Sequence, residues 1–200
     1  MHIRSNLRDN LIIALALDGD QSFDGDLDYK TPPFEPTAEA AVLALINAHN
    51  NTITLTKRQS HMRKHAGQVA FAGGRKDDTD PSLWHTALRE ANEEIGLPLD
   101  HPLEQIGSLP LHMTITHFAV TPFIALNPEP FEYKAQPSEV AEIFELPITQ
   151  LHPENFRIDS RDYQGQKRSF YVLPYQDYYI WGATARMLHN LANRLDHVNR

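Results

Sequence analysis

The spacing of apolar and polar residues predicts a helix near the start of the chain and a loop after it. Residues 7–17 place apolar side chains at helical intervals and are interpreted as a short amphipathic helix. Residues 18–28 are rich in Asp and Gly, and residues 31–36 contain three prolines. Because proline removes backbone donors and Asp and Gly favour turns, residues 1–36 are expected to form an N-terminal helix and arm.

The next segment contains patterns that are typical of strands. Residues 39–46 are an apolar run that fits either a helix or a buried strand. Residues 52–56 alternate as a strand does, and a polar turn at 49–51 lies between the two runs, which favours a β-hairpin. A further short strand is predicted at 68–71, stopped by the Gly-Gly pair at 73–74.

The best-defined helix follows this glycine pair. Asp80 is predicted to cap its N-terminus, Pro81 suits the first helical position, and Gly96 is predicted to end it. Three elements are predicted downstream: strands at 106–111 and 118–126, and a closing helix at 179–192. Strands thus come before, between and after helices, so the predicted fold class is α+β with a mixed β-sheet.

Composition narrows the class of protein without revealing its function. The 200 residues are expected to form a single domain, 1–200. With 26 acidic and 18 basic residues the net charge is −8, which argues against general binding of nucleic acid. There are no cysteines, and hence no disulfides or thiolate metal sites. The polar N-terminus lacks the apolar core that is typical of a signal peptide, and the apolar run at 11–17 is too short to span a bilayer. No membrane association and a cytoplasmic location are therefore expected.

The helix at 81–95 carries the most informative cluster of charges. Glu90, Glu93 and Glu94 lie on a different face from the apolar stripe, which contains Trp84, Ala87, Leu88, Ala91 and Ile95. Carboxylates at this spacing converge and repel each other by a few tenths of a kcal/mol per pair. A divalent cation would offset that repulsion, since hard ions take oxygen ligands. The alternative is an ordinary solvated acidic face.

The sequence around this helix resembles the Nudix box, in which a glycine loop leads into a helix carrying Arg-Glu-x-x-Glu-Glu-x-Gly-(aliphatic). Residues 89–97, Arg-Glu-Ala-Asn-Glu-Glu-Ile-Gly-Leu, match that half completely. The half that begins at Gly74 departs from the pattern. Asp80 stands where a Glu is expected, and eight residues separate it from Arg89, one more than in the family. Asp80 is therefore interpreted first as the helix cap.

Two further segments are similar to one branch of this family, the coenzyme A pyrophosphatases. Residues 55–58 and 62–74 resemble the signature that precedes the box in that branch, with Ala72 where the branch usually has Pro. Residues 179–185, Tyr-Ile-Trp-Gly-Ala-Thr-Ala, also resemble it. The similarity covers roughly residues 40–190, which is most of the chain.

The resemblance implies a Nudix-like α/β/α sandwich with a mixed β-sheet and a metal-dependent diphosphatase activity. It implies that Glu90, Glu93 and Glu94 bind Mg²⁺ or Mn²⁺, joined by the carbonyl of Gly74, and that Glu90 and Glu93 take part in catalysis. Arg89 is adjacent to Glu90 and four residues before Glu93. We expect Arg89 to orient and hold a carboxylate rather than to bind substrate.

A general base and a phosphate-binding cluster complete the predicted site. In Nudix enzymes the base is either a box glutamate or one on a later loop, and Glu139 is the best later candidate. The alternative for Glu139 is a surface acid near a helix N-terminus. Lys57, Arg58, Arg63 and His65 are expected to bind the 3′-phosphate or diphosphate of coenzyme A, the alternative being a solvated loop.

Three functions remain open at this point. The first is hydrolysis of coenzyme A to 4′-phosphopantetheine and adenosine 3′,5′-bisphosphate. The second is the same chemistry on ADP-ribose, a dinucleotide or a modified nucleoside triphosphate. The third is a non-catalytic module that binds a nucleotide. In each case the expected partner is a small nucleotide derivative, and a homodimer is left open.

Overall fold

Three α-helices and eleven β-strands occur in the part of the chain that the computed structural model describes, residues 2–17, 35–62, 64–114, 116–163 and 165–200. The predicted arm at 18–34 lies outside these residues. The elements are α1 (His2–Ala16), β1 (Ala38–Asn47), β2 (Thr52–Arg58), β3 (Val69–Ala70), β4 (Ala72–Arg75), α2 (Leu83–Ile95), β5 (Glu104–Ser108), β6 (His112–Met113), β7 (Phe118–Asn127), β8 (Val140–Pro147), β9 (Arg157–Tyr163), β10 (Gln166–Tyr175), β11 (Tyr178–Trp181) and α3 (Gly182–Asn199).

The larger of the two sheets is mixed, as the sequence predicts. Its strands lie in the order β3-β2-β1-β7-β5, with β4 pairing with β1, β6 with β7 and β8 with β2. The pairing of β1 with β7 is parallel over ten residue pairs, from Ala38–Phe118 to Asn47–Asn127, whereas the other pairings are antiparallel. The smaller sheet is antiparallel, in the order β11-β10-β9.

The side chains of strand β1 alternate between the two faces of the larger sheet, because successive residues of a strand point in opposite directions. Leu43 and Leu45 pack with Ala91 and Ile95 of α2 on one face. Ala40, Ala44 and Ile46 belong to the core on the other face, which includes residues of α1, α3 and the smaller sheet. The result is an α/β/α sandwich with a mixed β-sheet, which confirms the predicted fold class.

The N-terminal helix is held against the C-terminal one by a buried arginine. Arg194 of α3 is 2% exposed and donates hydrogen bonds to the backbone carbonyls of Ala14 (3.1 Å) and Leu17 (2.7 Å). These carbonyls lie at the end of α1, where helices leave acceptors unsatisfied. The predicted helix at 7–17 is confirmed, and it begins earlier, at His2.

The first hairpin is also confirmed, but the predicted effect of the glycine pair is wrong. Strands β1 and β2 are antiparallel, with Ile46 opposite Ile53. The predicted strand is Val69–Ala70, which pairs with β2 and ends before the glycines. The glycines lie inside a separate strand, Ala72–Arg75, which pairs with β1. A side chain on Gly73 would overlap the backbone at Val42. The glycine therefore allows two strands to approach closely.

The predicted start of the acidic helix is wrong in detail. Ser82, not Asp80, is the N-cap, and its hydroxyl accepts a hydrogen bond from the His85 N–H. Pro81 consequently precedes the helix. Gly96 ends it as predicted, in the left-handed conformation that glycine adopts at low cost. Asp80 faces the helix instead: its carboxylate accepts hydrogen bonds from Arg89 and Thr86 and from the backbone N–H of Asp77.

Two predicted elements differ in their bounds. The strand predicted at 106–111 is Glu104–Ser108, and a separate two-residue strand, His112–Met113, follows Pro110. The closing helix begins at Gly182, three residues later than predicted, because Tyr178–Trp181 pairs with β10 as an edge strand. The strand predicted at 118–126 is confirmed as Phe118–Asn127.

Within the described residues, no helix is both long enough and apolar enough to cross a lipid bilayer.

Replacing Asp80 by asparagine is expected to lower the free energy of unfolding by about 2 kcal/mol, because Arg89 loses a charged partner whose side chain is only 6% exposed. The hydrogen bond from Arg89 holds the pKa of Asp80 below its ordinary value of 3.8. A lowered pKa contributes stability that is present above the unfolded-state value and is lost as the pH falls toward the folded-state value. Urea unfolding should therefore show a difference between wild type and variant that shrinks below about pH 4.

The matched control is Asp78→Asn, which alters an exposed aspartate of the same loop. It should change the free energy of unfolding by less than about 0.5 kcal/mol. Equal losses in the two variants, or a loss at Asp80 that does not depend on pH, would contradict this assignment.

Candidate active site

Helix α2 presents its three glutamates to very different environments. Ala87, Ala91 and Ile95 anchor the helix against the sheet. On the side of α2 that faces away from the sheet, the Glu93 side chain is 54% exposed. The Glu90 side chain is 18% exposed. Glu94 lies against the glycine strand β4 and its side chain is only 5% exposed. The sequence predicted one common acidic face, but burial separates the three carboxylates.

Glu94 is the most deeply buried carboxylate of the site. It accepts a hydrogen bond from the Gly73 backbone N–H at 3.2 Å and another from Arg58 Nη1 at 3.3 Å. Burial raises the pKa of Glu94 to about 7, and the hydrogen bond from Gly73 and the charge of Arg58 oppose that rise only in part. Nearby Glu90 and Glu139 raise the pKa further by repulsion. The Glu94 site therefore favours additional positive charge.

Glu90 lies directly over the glycine pair. A side chain on Gly74 would overlap the Glu90 carboxylate, so glycine is the residue that leaves room for it. Burial raises the pKa of Glu90, and repulsion from Glu93 and Glu139 adds to the effect. The nearest cation, Arg89, lowers that pKa through a 2.9 Å hydrogen bond from Nη1.

Arg89 holds several groups of the site together. Its Nε and Nη2 donate to Asp80 at 3.1 and 3.0 Å, and its Nη1 donates to Glu90 and, at 3.3 Å, to Glu93. Nη2 also reaches the Arg75 carbonyl at 3.1 Å. Asp80 is the main reason that the pKa of Arg89 is raised. The guanidinium thus fixes α2 to the strand-to-helix loop and orients two of the three box carboxylates.

Arg58 forms a second connection between carboxylates. Its Nη1 contacts Glu94, and its Nη2 lies 3.5 Å from Glu139 Oε2. Its Nε is buried without a hydrogen-bond partner among the described residues. From the sequence, Arg58 was predicted to bind a phosphate of the substrate. Its contacts with acidic residues were not predicted.

The loop that carries Glu139 is tied to β2 by a residue that sequence reasoning missed. The Gln59 N–H donates to the Glu139 carbonyl at 2.8 Å, and the Gln59 side-chain amide donates to the carbonyls of Pro137 and Val140. Glu139 is the residue before strand β8, and no helix begins there. The bonds from Gln59 fix this loop against β2. Gln59 has no charge or motif position that could have marked it.

The predicted phosphate-binding cluster does not stay together in the fold. Lys57 and Arg58 are neighbours in β2, yet Arg58 contacts Glu94 whereas Lys57 lies over the ring of Tyr178. Strand geometry explains the division, because adjacent side chains point to opposite faces. His65 is exposed and its Nδ1 lies 2.7 Å from the Gln68 side chain. Arg63 lies outside the described residues.

Comparison with known proteins identifies the family. Residues 36–164, more than half of the chain, match the family described as NUDIX domain. The chain belongs to the Nudix family. It is 40% identical over 154 residues to the "Uncharacterized Nudix hydrolase NudL" of Enterobacter sp. (strain 638), covering 76% of this chain and 80% of that protein. It is 37% identical over 161 residues to the protein of the same name from Shigella flexneri serotype 5b (strain 8401), covering 80% and 83%.

A solved structure agrees with this fold. The crystal structure of the MutT protein from Methanosarcina mazei Go1 superposes with a TM-score of 0.53 and covers 83% of this chain and 97% of that chain. At 17% sequence identity this likeness concerns the fold alone. The family shows that this Nudix protein is a diphosphatase, a hydrolase that acts on small nucleotide derivatives.

Nudix hydrolases use divalent metal ions, and the residues present fit such an ion. Glu90 and Glu94 offer hard oxygen donors in a place where burial makes uncompensated negative charge unfavourable. Gly74 leaves the space that a side chain would fill. Among the described residues, no three acidic or histidine side chains are already drawn together as a metal cluster. Arg58 and Arg89 hold the carboxylates in this arrangement.

Gly74→Ala is expected to reduce kcat by roughly 100-fold, because the new methyl group displaces the Glu90 carboxylate and a shift of about 1 Å at a reacting centre has that effect. Turnover of the best diphosphate substrate, with a thermal unfolding curve, is the measurement. Gly107→Ala is the control, since Gly107 in β5 would meet chiefly the flexible end of Leu15. Full activity in Gly74→Ala would contradict the proposed crowding.

Proposed function

We propose that this Nudix hydrolase cleaves the diphosphate bond of coenzyme A or its acyl derivatives, giving 4′-phosphopantetheine and adenosine 3′,5′-bisphosphate. The diphosphatase chemistry rests on one observation above all: two of the acidic side chains, Glu90 and Glu94, lie against the glycine pair. Arg89 joins Glu90 to Glu93, and Arg58 joins Glu94 to Glu139. The choice of coenzyme A rests on the resemblance of residues 55–74 and 179–185 to that branch of the family.

In this proposal Glu90, Glu93 and Glu94 hold Mg²⁺ or Mn²⁺, together with the Gly74 carbonyl. The ion supplies an activated water and neutralises charge on the phosphate oxygens. Arg89 positions Glu90 and Glu93, because its Nη1 donates to one oxygen of Glu90 and to both oxygens of Glu93. Because Arg89 is itself held by Asp80, the carboxylates stay oriented before substrate arrives.

Glu139 is proposed to accept the proton of the attacking water as the new oxygen–phosphorus bond forms and the anhydride bond breaks. Its side chain is 47% exposed on a loop that Gln59 fixes, so it can reach a substrate from the solvent side. The Glu139 carboxylate also lies close enough to Glu90 and Glu94 to affect both. In this proposal a base in that position serves the same phosphate group whose oxygens the ion would neutralise.

Arg58 is proposed to bind a phosphate oxygen. Its buried Nε lacks a partner among the described residues, and an unsatisfied buried donor costs about 1–3 kcal/mol. The Arg58 side chain is 22% exposed, so its Nη groups can donate to a substrate oxygen. Arg63 and His65 are proposed to bind the 3′-phosphate.

A turnover panel tests the choice of substrate. Coenzyme A, dephospho-coenzyme A, ADP-ribose and NADH are each incubated with Mg²⁺ or Mn²⁺, and products are separated by chromatography. Coenzyme A should show the highest kcat/KM, and loss of the 3′-phosphate should lower it about tenfold, since one charged contact is removed. A higher kcat/KM for ADP-ribose or NADH would reject coenzyme A as the substrate.

Glu93→Gln is expected to lower kcat by roughly 100-fold or more while leaving the fold intact, because Glu93 is exposed and acts through its charge. Steady-state kinetics and circular dichroism measure the two properties. Glu132→Gln, which neutralises another exposed glutamate, should leave kcat unchanged. An active Glu93→Gln enzyme would remove Glu93 from the metal-binding and catalytic group.

A further inference from the structure

Strand β9 is an open edge of the smaller sheet. Among the residues that the structure describes, β9 pairs with β10 alone, so its other side presents backbone N–H and C=O groups to solvent. Ile158 on this edge is an apolar side chain that is 55% exposed. Such an edge can bind another extended strand, and natural proteins usually block it with charged residues such as lysine, with proline or with a bulge.

The charges of β9 do not block the edge, because they alternate in sign. Residues 157–163 read Arg-Ile-Asp-Ser-Arg-Asp-Tyr, with two arginines and two aspartates. Side chains two residues apart lie on the same face of a strand, so Arg157, Asp159 and Arg161 form a row of alternating charge. A row of this kind repels a copy of itself in some registers and attracts it in others.

Antiparallel pairing of two copies about Ser160 makes this row complementary to itself. Asp159 then lies opposite Arg161 of the second copy, and the two-fold axis gives a second, identical ion pair. The two Ser160 side chains lie opposite each other, and their hydroxyls can form a hydrogen bond. An axis one residue earlier would place Arg157 against Arg161, and an axis one residue later would place Arg161 against its own copy. Like charges directly opposite each other are destabilising.

A second register is complementary in charge but shorter. Pairing about Ile158 would place Arg157 opposite Asp159 of the second copy. It would use only residues 157–159 of β9, because a 3-10 turn, Pro153–Asn155, precedes the strand. Pairing about Ser160 uses the whole strand and is therefore favoured.

Both charged groups retain atoms that can bind a second copy. Asp159 accepts a hydrogen bond from the Tyr179 hydroxyl at 2.6 Å and lies 3.5 Å from Arg157, and both contacts are made by Oδ2. This leaves Oδ1 for another donor. Arg161 is exposed and lies 5.0 Å from the centre of the Trp181 ring. A guanidinium that stacks on a ring keeps the N–H groups of its edge for a carboxylate.

We propose that β9 binds β9 of a second copy of this chain, antiparallel and about Ser160, so that two three-stranded sheets join into one sheet. Both copies use the same surface, so the assembly closes at two. The contact is short, below the roughly 1,200 Å² of ordinary stable interfaces, and the dimer is accordingly weak. The proposal goes beyond the diphosphatase activity and does not depend on its substrate.

Sedimentation velocity of the full chain tests the proposal. Between about 5 and 500 µM, the weight-average mass of the unaltered protein should rise from 22.8 kDa toward twice that value. Asp159→Arg and Arg161→Asp each place like charges opposite each other at both pairs, and each should weaken dimerisation about 30-fold. Asp78→Arg, the same change of charge at an exposed loop position, should leave dimerisation unchanged. Circular dichroism checks that each variant is folded.

Mixing the two β9 variants identifies the register. Asp159→Arg presents two arginines at 159 and 161, and Arg161→Asp presents two aspartates there. The mixture should therefore form a 1:1 heterodimer at concentrations where each variant alone is monomeric. Pairing about Ile158 predicts no such restoration, because Arg157 would still lie opposite the new arginine at 159.

Three results would each overturn the proposal. The unaltered protein could stay monomeric at the highest concentration, which would leave the edge to a different partner. The dimer could survive either charge reversal undiminished, which would place the interface elsewhere or in another register. The mixed variants, shown to be folded, could fail to associate.

Discussion

The burial of Glu94 is the constraint on which the site depends. An ionised carboxylate removed from water costs several kcal/mol unless donors and cations compensate for it. Here the Gly73 N–H and Arg58 do so in part, and the pKa of Glu94 remains raised to about 7. Glycine is required at 73 and 74 because the strand must lie close both to β1 and to Glu90. The site is therefore a place where negative charge is concentrated and only partly neutralised, as binding of a divalent cation requires.

The sheet determines which side chains share that place. Strand β1 divides the core between α2 on one face and α1, α3 and the smaller sheet on the other. Strand β2 divides the neighbours Lys57 and Arg58 in the same way, one toward Tyr178 and one toward Glu94. A short basic sequence thereby contributes to two separate surfaces. Arg58 lies among the carboxylates, and Lys57 lies over the Tyr178 ring of β11.

Features that depend on residues close in sequence could be predicted, whereas features that depend on distant residues could not. Helical periodicity placed Ala87, Ala91 and Ile95 in the core, and Gly96 marked the helix end, because these signals depend on near neighbours. Asp80 was misassigned since its partner Arg89 lies across the loop and outweighs the local preference for a cap. Helical periodicity also predicted which face of α2 carries Glu94. It did not predict that Glu94 is buried, because the burial comes from contacts with β4 and β2. The contacts of Arg58 with Glu94 and Glu139 join distant parts of the chain and leave no local pattern.

The proposed function depends most on the joint binding of a divalent cation by Glu90, Glu93 and Glu94. A crystal soaked in Mn²⁺, with anomalous diffraction recorded at the manganese edge, tests it most directly. We expect an anomalous peak bound by these carboxylates, with Arg89 still hydrogen-bonded to Asp80. An absence of manganese from these carboxylates, even in the presence of nucleotide, would contradict it.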